Sequence, residues 1–312
     1  MKRFILTISI ITLIFEILMF PKDAAYYATI GLKLWFDTMI PALFPFMVIS
    51  SLIIRLDIAP LIISFLHPFL NLLFKTNHYC EYAIMLGFLC GYPMGAVIIR
   101  DLMKENKITT MQAEYLLAFC NNIGPVFFFS IVLPIFRPEI HIFLFIGMYI
   151  IPFLYGIILR YTVYKKAFEN TKKVRITKKT ENKSFSSAFT DAINQAVSSV
   201  LFLGACMIFF NMLRFLPVKL FSDNIILQTF FCWLLEINGA ITATAKIYSD
   251  GLAFPALIMI PLMQIGGLSC IMQTTGILSN CDCNILKHFL HKCIQALFWL
   301  FFMLFVLFIF PE

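Results

Sequence analysis

Charge is what this sequence has least of. Charged side chains make up only 13% of the 312 residues, about half the share typical of a soluble domain. Enzyme signatures are missing as well. There is no His-Glu-x-x-His, no Gly-x-Ser-x-Gly and no phosphate-cradling Gly-x-x-x-x-Gly-Lys, nor any nucleophile–base arrangement. We therefore expect no catalytic residues, no cofactor and no enzymatic role. Without a nucleotide-binding domain, any transport would be secondary, passive or driven by a partner. The nine cysteines are odd in number and lack the spacing of a secreted domain, which excludes a disulfide framework. Most lie in apolar runs, where a thiol behaves as a small hydrophobe.

What is present is apolar. The chain is 61% hydrophobic with a mean hydropathy of +0.88, against about 45–50% apolar residues in soluble domains. Apolar runs of about 20 residues recur from end to end, so no sizeable soluble domain fits between them. The expected fold is an all-α, multi-pass membrane protein. Its net charge of +7 is concentrated in residues 165–183, where eight basic side chains face Glu169 and Glu181. Between two apolar spans, the positive-inside rule assigns such a run to a cytoplasmic loop, with anionic lipid as a further contact and no nucleic acid as partner.

Residues 4–20 read as a retained first span rather than a cleaved signal peptide, because Glu16 interrupts the run and no small-x-small site follows. Residues 34–56 carry Pro41 and Pro45, which call for a kink or a break. Residues 61–74 are too short for an upright crossing and either tilt or re-enter. Residues 82–99 and 113–136 each hold a break, and residues 140–163 are plainer, with Pro152 as a kink. Beyond the basic loop, residues 185–215 become a span, 225–245 and 252–278 again hold breaks, and 289–310 close the chain as a plain apolar span. Counting every run as a crossing gives about ten, so we expect about eight to ten transmembrane helices. Both termini, the basic loop, Arg55, Arg100, Lys104, Lys107 and Lys246 then lie inside. This count leaves a conflict. Inverted halves need broken pairs of opposite sense, and about ten crossings make them parallel. Re-entry of residues 61–74 restores inversion but turns Arg100 outward.

The breaks carry the functional expectation. In Gly87-Phe-Leu-Cys-Gly-Tyr-Pro-Met-Gly-Ala96 and Ala118-Phe-Cys-Asn-Asn-Ile-Gly-Pro125, prolines remove donors and glycines admit close backbone approach. Opened helices survive in a bilayer only against protein or a water-filled cavity, and their ends attract ions. Gly91, Tyr92, Pro93, Gly95, Asn121, Asn122, Gly124 and Pro125 would form one half of a midplane site. Glu236, Asn238, Gly239, Gln264, Gly266, Gly267, Ser269, Gln273 and Thr274 would form the other. Two readings stand side by side: a substrate pathway, or close helix packing through small residues and amides. For Glu236 they are ion coupling, or bonding to freed backbone groups. Arg100-Asp101 reads as a solvated pair at a span end. Cys281-Asp-Cys283 with His288 and His291 offers metal-ligand types, but the spacing is too tight for the usual zinc pairing, so it reads as a loop. His67 and His78 read as interfacial, leaving no metal site expected.

Four blocks together resemble one family: Phe44-Pro-Phe-Met-Val-Ile-Ser50, Gly91-Tyr-Pro-Met-Gly-Ala96 with Asp101-Leu102, Ala118-Phe-Cys-Asn-Asn-Ile-Gly-Pro125, and Gly266-Gly-Leu-Ser269. It is the sporulation integral membrane protein YlbJ family, whose members carry the nucleoside-recognition or Gate domain. The resemblance runs from about residue 31 to residue 278. It departs where Val97, Ile98 and Ile99 follow the Gly-Tyr-Pro-Met-Gly-Ala block in place of a polar or basic residue. The resemblance implies a multi-pass protein of a bacterial cell membrane, needed for the spore envelope and its cortex. It also implies a transporter-like core that takes an unknown small molecule or ion. The implied organisation is a first anchor (residues 1–30), a Gate-like half (31–163), the basic loop (164–184) and a second Gate-like half (185–312). The competing expectation is a non-transporting scaffold that recruits envelope-building enzymes. Beyond the bilayer, expected partners are envelope proteins or further copies of the chain.

Overall fold

The computed structural model describes residues 2–136, 138–169, 184–241 and 261–309, and every element among them is helical. Up to the basic loop the chain forms α1 (Lys2–Met19), α2 (Pro21–Lys33), α3 (Ile40–Arg55), α4 (Ala59–Ile63), α5 (His67–Phe74), α6 (His78–Cys90), α7 (Met94–Lys104), α8 (Thr110–Phe119), α9 (Pro125–Phe127), α10 (His141–Phe145) and α11 (Ile151–Tyr161). Then come α12 (Lys166–Glu169), α13 (Phe185–Leu213), α14 (Phe215–Leu220), α15 (Ile225–Leu235), α16 (Gly267–Ile277) and α17 (Ile285–Ile309). Among the described residues, four continuous helical stretches are long and apolar enough to cross a bilayer: Pro21–Arg55, Pro138–Tyr161, Phe185–Leu220 and Ile285–Val306. The all-α, multi-pass class is borne out.

Prolines lie within these and a shorter apolar helix, and the helices accommodate them locally. Wide π-helical turns occupy Leu34–Met39, Phe128–Val132 and Ile146–Ile150. Each includes the residue four before a proline: Asp37 before Pro41, Ser130 before Pro134, Met148 before Pro152. A proline ring collides with the carbonyl at that position, and a widened turn moves the carbonyl aside.

Polar contacts show which segments share an end of the bundle. Asp57 Oδ1 accepts from Tyr79 and from Lys107, both at 2.6 Å. Arg55 lies 3.6 Å from Glu105 and 3.3 Å from Asp191, and Arg160 donates to the Lys75 carbonyl at 3.0 Å. The basic loop leaves from this end, described through Glu169, while residues 170–183 lie outside the described residues. The accumulated Lys and Arg make this the end that the positive-inside rule expects on the cytoplasmic side. The opposite end is marked by Lys219, 2.7 Å from Asp23 and 3.8 Å over the Phe20 ring.

These contacts decide one open alternative and correct two expectations. The α4–α5 segment starts beside Asp57 and finishes beside Lys75, so it re-enters rather than tilts across. The α6–α7 pair also fails to cross. Its base at Tyr79 and its exit at Lys107 bond one carboxylate, so residues 82–99 form a hairpin with its tip at Gly91–Pro93. At least two of the apolar runs thus return to the face they leave. With both re-entrant, Arg100 stays on the side of Arg55, and the conflict over its placement disappears. Third, α17 begins at the cytoplasmic end, where Lys287 pairs with Glu114 at 2.7 Å. Its 25 residues span about 37 Å, so its far end lies at the opposite face, not inside.

The two broken runs also have opposite senses. The α8–α9 run starts at the cytoplasmic end, whereas α16 finishes there, its following Ser279 and Asn280 meeting Arg55 and Arg100 around one cavity. Residues 242–260, including Lys246 and the first part of the fourth broken run, lie outside the described residues. Two packed cores flank the breaks: one from α3, α6, α7, α8 and α13 that includes Cys120, the other around Ile123, Phe128, Trp233 and Trp299. Lipid is as apolar as these side chains, so what holds the cores is close packing and internal hydrogen bonding.

Candidate functional site at the crossed breaks

Local signals place each break. The α6 helix opens on Asn77, whose side chain accepts from the Cys80 N–H at 2.9 Å, and α8 opens on a Thr109–Gln112 capping box. Each then runs into glycine and proline and stops near the bundle centre. There the backbones touch. The Tyr92 N–H donates to the Asn122 carbonyl at 2.7 Å. Gly91 has φ +76°, and a Cβ there would stand 2.2 Å from the Gly124 nitrogen. Only glycine meets both demands. The Tyr92–Pro93 peptide at the tip is cis.

The second-half residues close over this crossing. The Tyr92 hydroxyl donates to the Gln264 carbonyl at 2.9 Å, and Asn121 Nδ2 donates to Thr274 Oγ1 at 3.0 Å. Gly266 and Gly267 take φ +85° and +70° where α16 begins, and Tyr92 packs against Gly266. Gln273 Nε2 donates to Ser269 Oγ at 3.1 Å within α16. Asn121, Asn122, Gln264, Ser269, Gln273 and Thr274 are all buried. Two acceptors there, Asn121 Oδ1 and Gln264 Oε1, have no hydrogen-bond partner among the described residues.

Glu236, Asn238 and Gly239 form a separate knot nearer the other end. Glu236 Oε2 accepts from the Gly239 N–H at 2.8 Å and from Asn211 at 3.1 Å, and Oε1 from Asn238 at 2.8 Å. Arg214 donates to Asn211 Oδ1 at 2.9 Å. The carboxylate thereby takes up an N–H freed where the next helix begins, at residue 237, which is the backbone-bonding alternative for Glu236.

Sequence reasoning missed α17. It was expected to be plain, yet His288, Lys292 and Gln295 are buried along one face. They meet the carboxyl end of α8: His288 Nδ1 lies 2.8 Å from the Leu117 carbonyl, Gln295 donates to the Ala118 carbonyl, and Lys292 donates to Asn122 Oδ1 at 2.6 Å. The Lys292 ammonium also sits 5.6 Å from the Tyr92 ring centroid. Its charge suits the negative end of the interrupted helix. The available signal was the 288–292–295 spacing, which is that of one helix face.

Arg100-Asp101 is also corrected: the pair is buried, not solvated. Arg100 Nη1 donates to Ser199 at 2.8 Å, and Gln195 donates to Asp101. Arg100, Ser199 and Gln195 line a cavity of about 520 Å³ at the cytoplasmic end, with Phe202 and Gly276 also in its wall. Gly276 is two residues from Thr274, the partner of Asn121.

The Cys281–His291 group does not assemble as a metal centre. His291 bonds the Tyr155 hydroxyl at 2.6 Å, His288 the Leu117 carbonyl, and Cys283 Sγ contacts Met103 Sδ at 3.4 Å. Burial, then the neighbouring Cys281 and Glu114, push the Cys283 thiol up to about 12. Its alkylation by iodoacetamide, followed by peptide mapping, should therefore be slow at pH 8 and rise about tenfold per pH unit to pH 10. A rate that rises only about fourfold and levels off by pH 10 would show an ordinary thiol.

The fold and the crossed breaks define a class: a multi-pass, all-α membrane protein with interrupted helices meeting in its core. Comparison makes this particular. The chain is 24% identical over 312 residues to the sporulation integral membrane protein YlbJ of Bacillus subtilis (strain 168), across 89% of this chain and 76% of the relative. The kinship expected from the four motif blocks is borne out, and the chain is a multi-pass bacterial membrane protein. No family model matches it. No solved structure matches it either.

Proposed function

We propose that this chain is a transporter-like, non-enzymatic membrane protein of sporulation, acting in the formation of the spore envelope and its cortex. A small solute or ion is held where the Gly91–Pro93 tip crosses the Asn121–Gly124 break. One observation carries the reading: two buried acceptors, Asn121 Oδ1 and Gln264 Oε1, stand unbonded among the described residues beside that crossing. Leaving such groups unpaired costs about 1–3 kcal/mol each, and a bound donor group or cation recovers it. The opposite senses of the two broken runs support a core that rocks about a central site, and the cytoplasmic cavity, whose wall includes Gly276 two residues from Thr274, supplies a mouth.

Asn121→Ala with Asn122→Ala, expressed in a spore-forming host lacking its own YlbJ, should abolish rescue of spore formation while the protein accumulates normally. Replacing the lysines of residues 165–183 by Gln should leave rescue intact. The reverse pattern would favour the scaffold, which docks through the loop.

A further inference from the structure

We propose that His67, His78 and Glu81 bind a divalent transition-metal ion at the cytoplasmic base of the first hairpin. The histidines are 11 residues apart in sequence, and the return of the re-entrant segment to α6 brings them together. His67 Nδ1 lies 2.7 Å and His78 Nδ1 3.5 Å from Glu81 Oε2, and one ligand atom from each residue falls within 4.8 Å of the others. The two imidazoles are 4.1 Å apart, centroid to centroid. Among the described residues, no other group of three His, Cys, Asp or Glu side chains could hold an ion in this way.

The plainer account is a His67–Glu81 ion pair at the start of α6. It leaves too much unexplained. Glu81 is fully buried, yet among the described residues its Oε1 has no hydrogen-bond partner, and neither has His78 Nδ1. A buried carboxylate with a bare oxygen beside a bare imidazole nitrogen is costly. An ion held by both imidazoles and by the two carboxylate oxygens together gives each of these atoms a partner at once.

The geometry and ligand types agree. In a tetrahedral site with bonds of 2.0–2.1 Å, ligand atoms lie about 3.3 Å apart. The His78–Glu81 separation already fits, and His67 needs to swing away by about 0.6 Å. The side chains of His67 and His78 are 33% and 42% exposed, so the ion has a route in and positions open to water. Two imidazoles and one carboxylate suit zinc, iron(II), cobalt(II) or manganese(II), and disfavour calcium and magnesium. Because α6 runs from this site to the Gly91 tip, the ion clamps the re-entrant segment onto the hairpin that carries the crossing. The site stands apart from the transport reading and survives its failure.

The test uses full-length protein purified without a histidine tag and stripped with chelator. Zinc, followed by thermal melting, should raise the transition and saturate at one equivalent. Cobalt(II) should give visible d–d absorption without the intense near-ultraviolet band of a thiolate ligand. His78→Ala and His67→Ala, both at partly exposed side chains, should each weaken cobalt affinity about a hundredfold or more, while Cys281→Ser with Cys283→Ser should leave it unchanged. Glu81→Gln should behave like the histidine variants if it folds. Absence of saturable binding overturns the proposal, as does affinity that survives His78→Ala or a thiolate charge-transfer band.

Discussion

Gly91→Ala should cost about 3–5 kcal/mol and remove most of the folded protein from the membrane. The new Cβ would lie 2.2 Å from the Gly124 nitrogen and 2.4 Å from its Cα, at a residue with φ +76°. Both obstacles are backbone, so no side chain can turn aside to admit it. Relief would require the hairpin tip to part from the α8–α9 break, losing the Tyr92 N–H to Asn122 bond. Gly95→Ala is the control. Its Cβ would come 2.8 Å from the Cys120 carbonyl and 3.0 Å from the Asn121 side chain, and with ordinary helical dihedrals it should cost clearly less. Detergent-stable yield and melting temperature of the two variants check the order. Equal stability would mean that the breaks do not touch.

Glu236→Ala should be nearly as damaging, at about 3–5 kcal/mol. It removes a buried carboxylate that accepts from Asn211, Asn238 and the Gly239 N–H. Glu236→Gln should cost only about 1–2 kcal/mol. Its oxygen can keep the Asn211 and Gly239 bonds, and Asn238, only partly buried, can turn away. Melting curves for both variants, with rescue of spore formation, separate the two readings of this residue. A knot that holds the break predicts loss of stability graded Ala over Gln, with rescue following the folded amount. An ion-coupling carboxylate predicts a Gln variant that folds normally and rescues nothing.

Several things were legible in the sequence for physical reasons. Scarce charge and recurring apolar runs dictate a helical membrane protein, because only internally bonded backbone survives in hydrocarbon. The glycines and prolines dictate interruptions at Gly91–Pro93 and Asn121–Gly124, since these residues disrupt helices whatever surrounds them. The four motif blocks were enough to identify the YlbJ kinship.

Tertiary structure decided the rest. An apolar run of crossing length looks the same whether it crosses or returns, and the Tyr79 and Lys107 bonds to Asp57 are what make residues 82–99 a hairpin. Which breaks meet depends on how helices distant in sequence pack, so the bond from Lys292 to Asn122, 170 residues apart, could not be read from either segment. The same holds for His67, His78 and Glu81, ordinary interfacial residues until the re-entrant fold turns them toward one another. Composition and breaker residues act locally and are written in the chain; side-chain partnership is set by packing and appears only once the chain has folded.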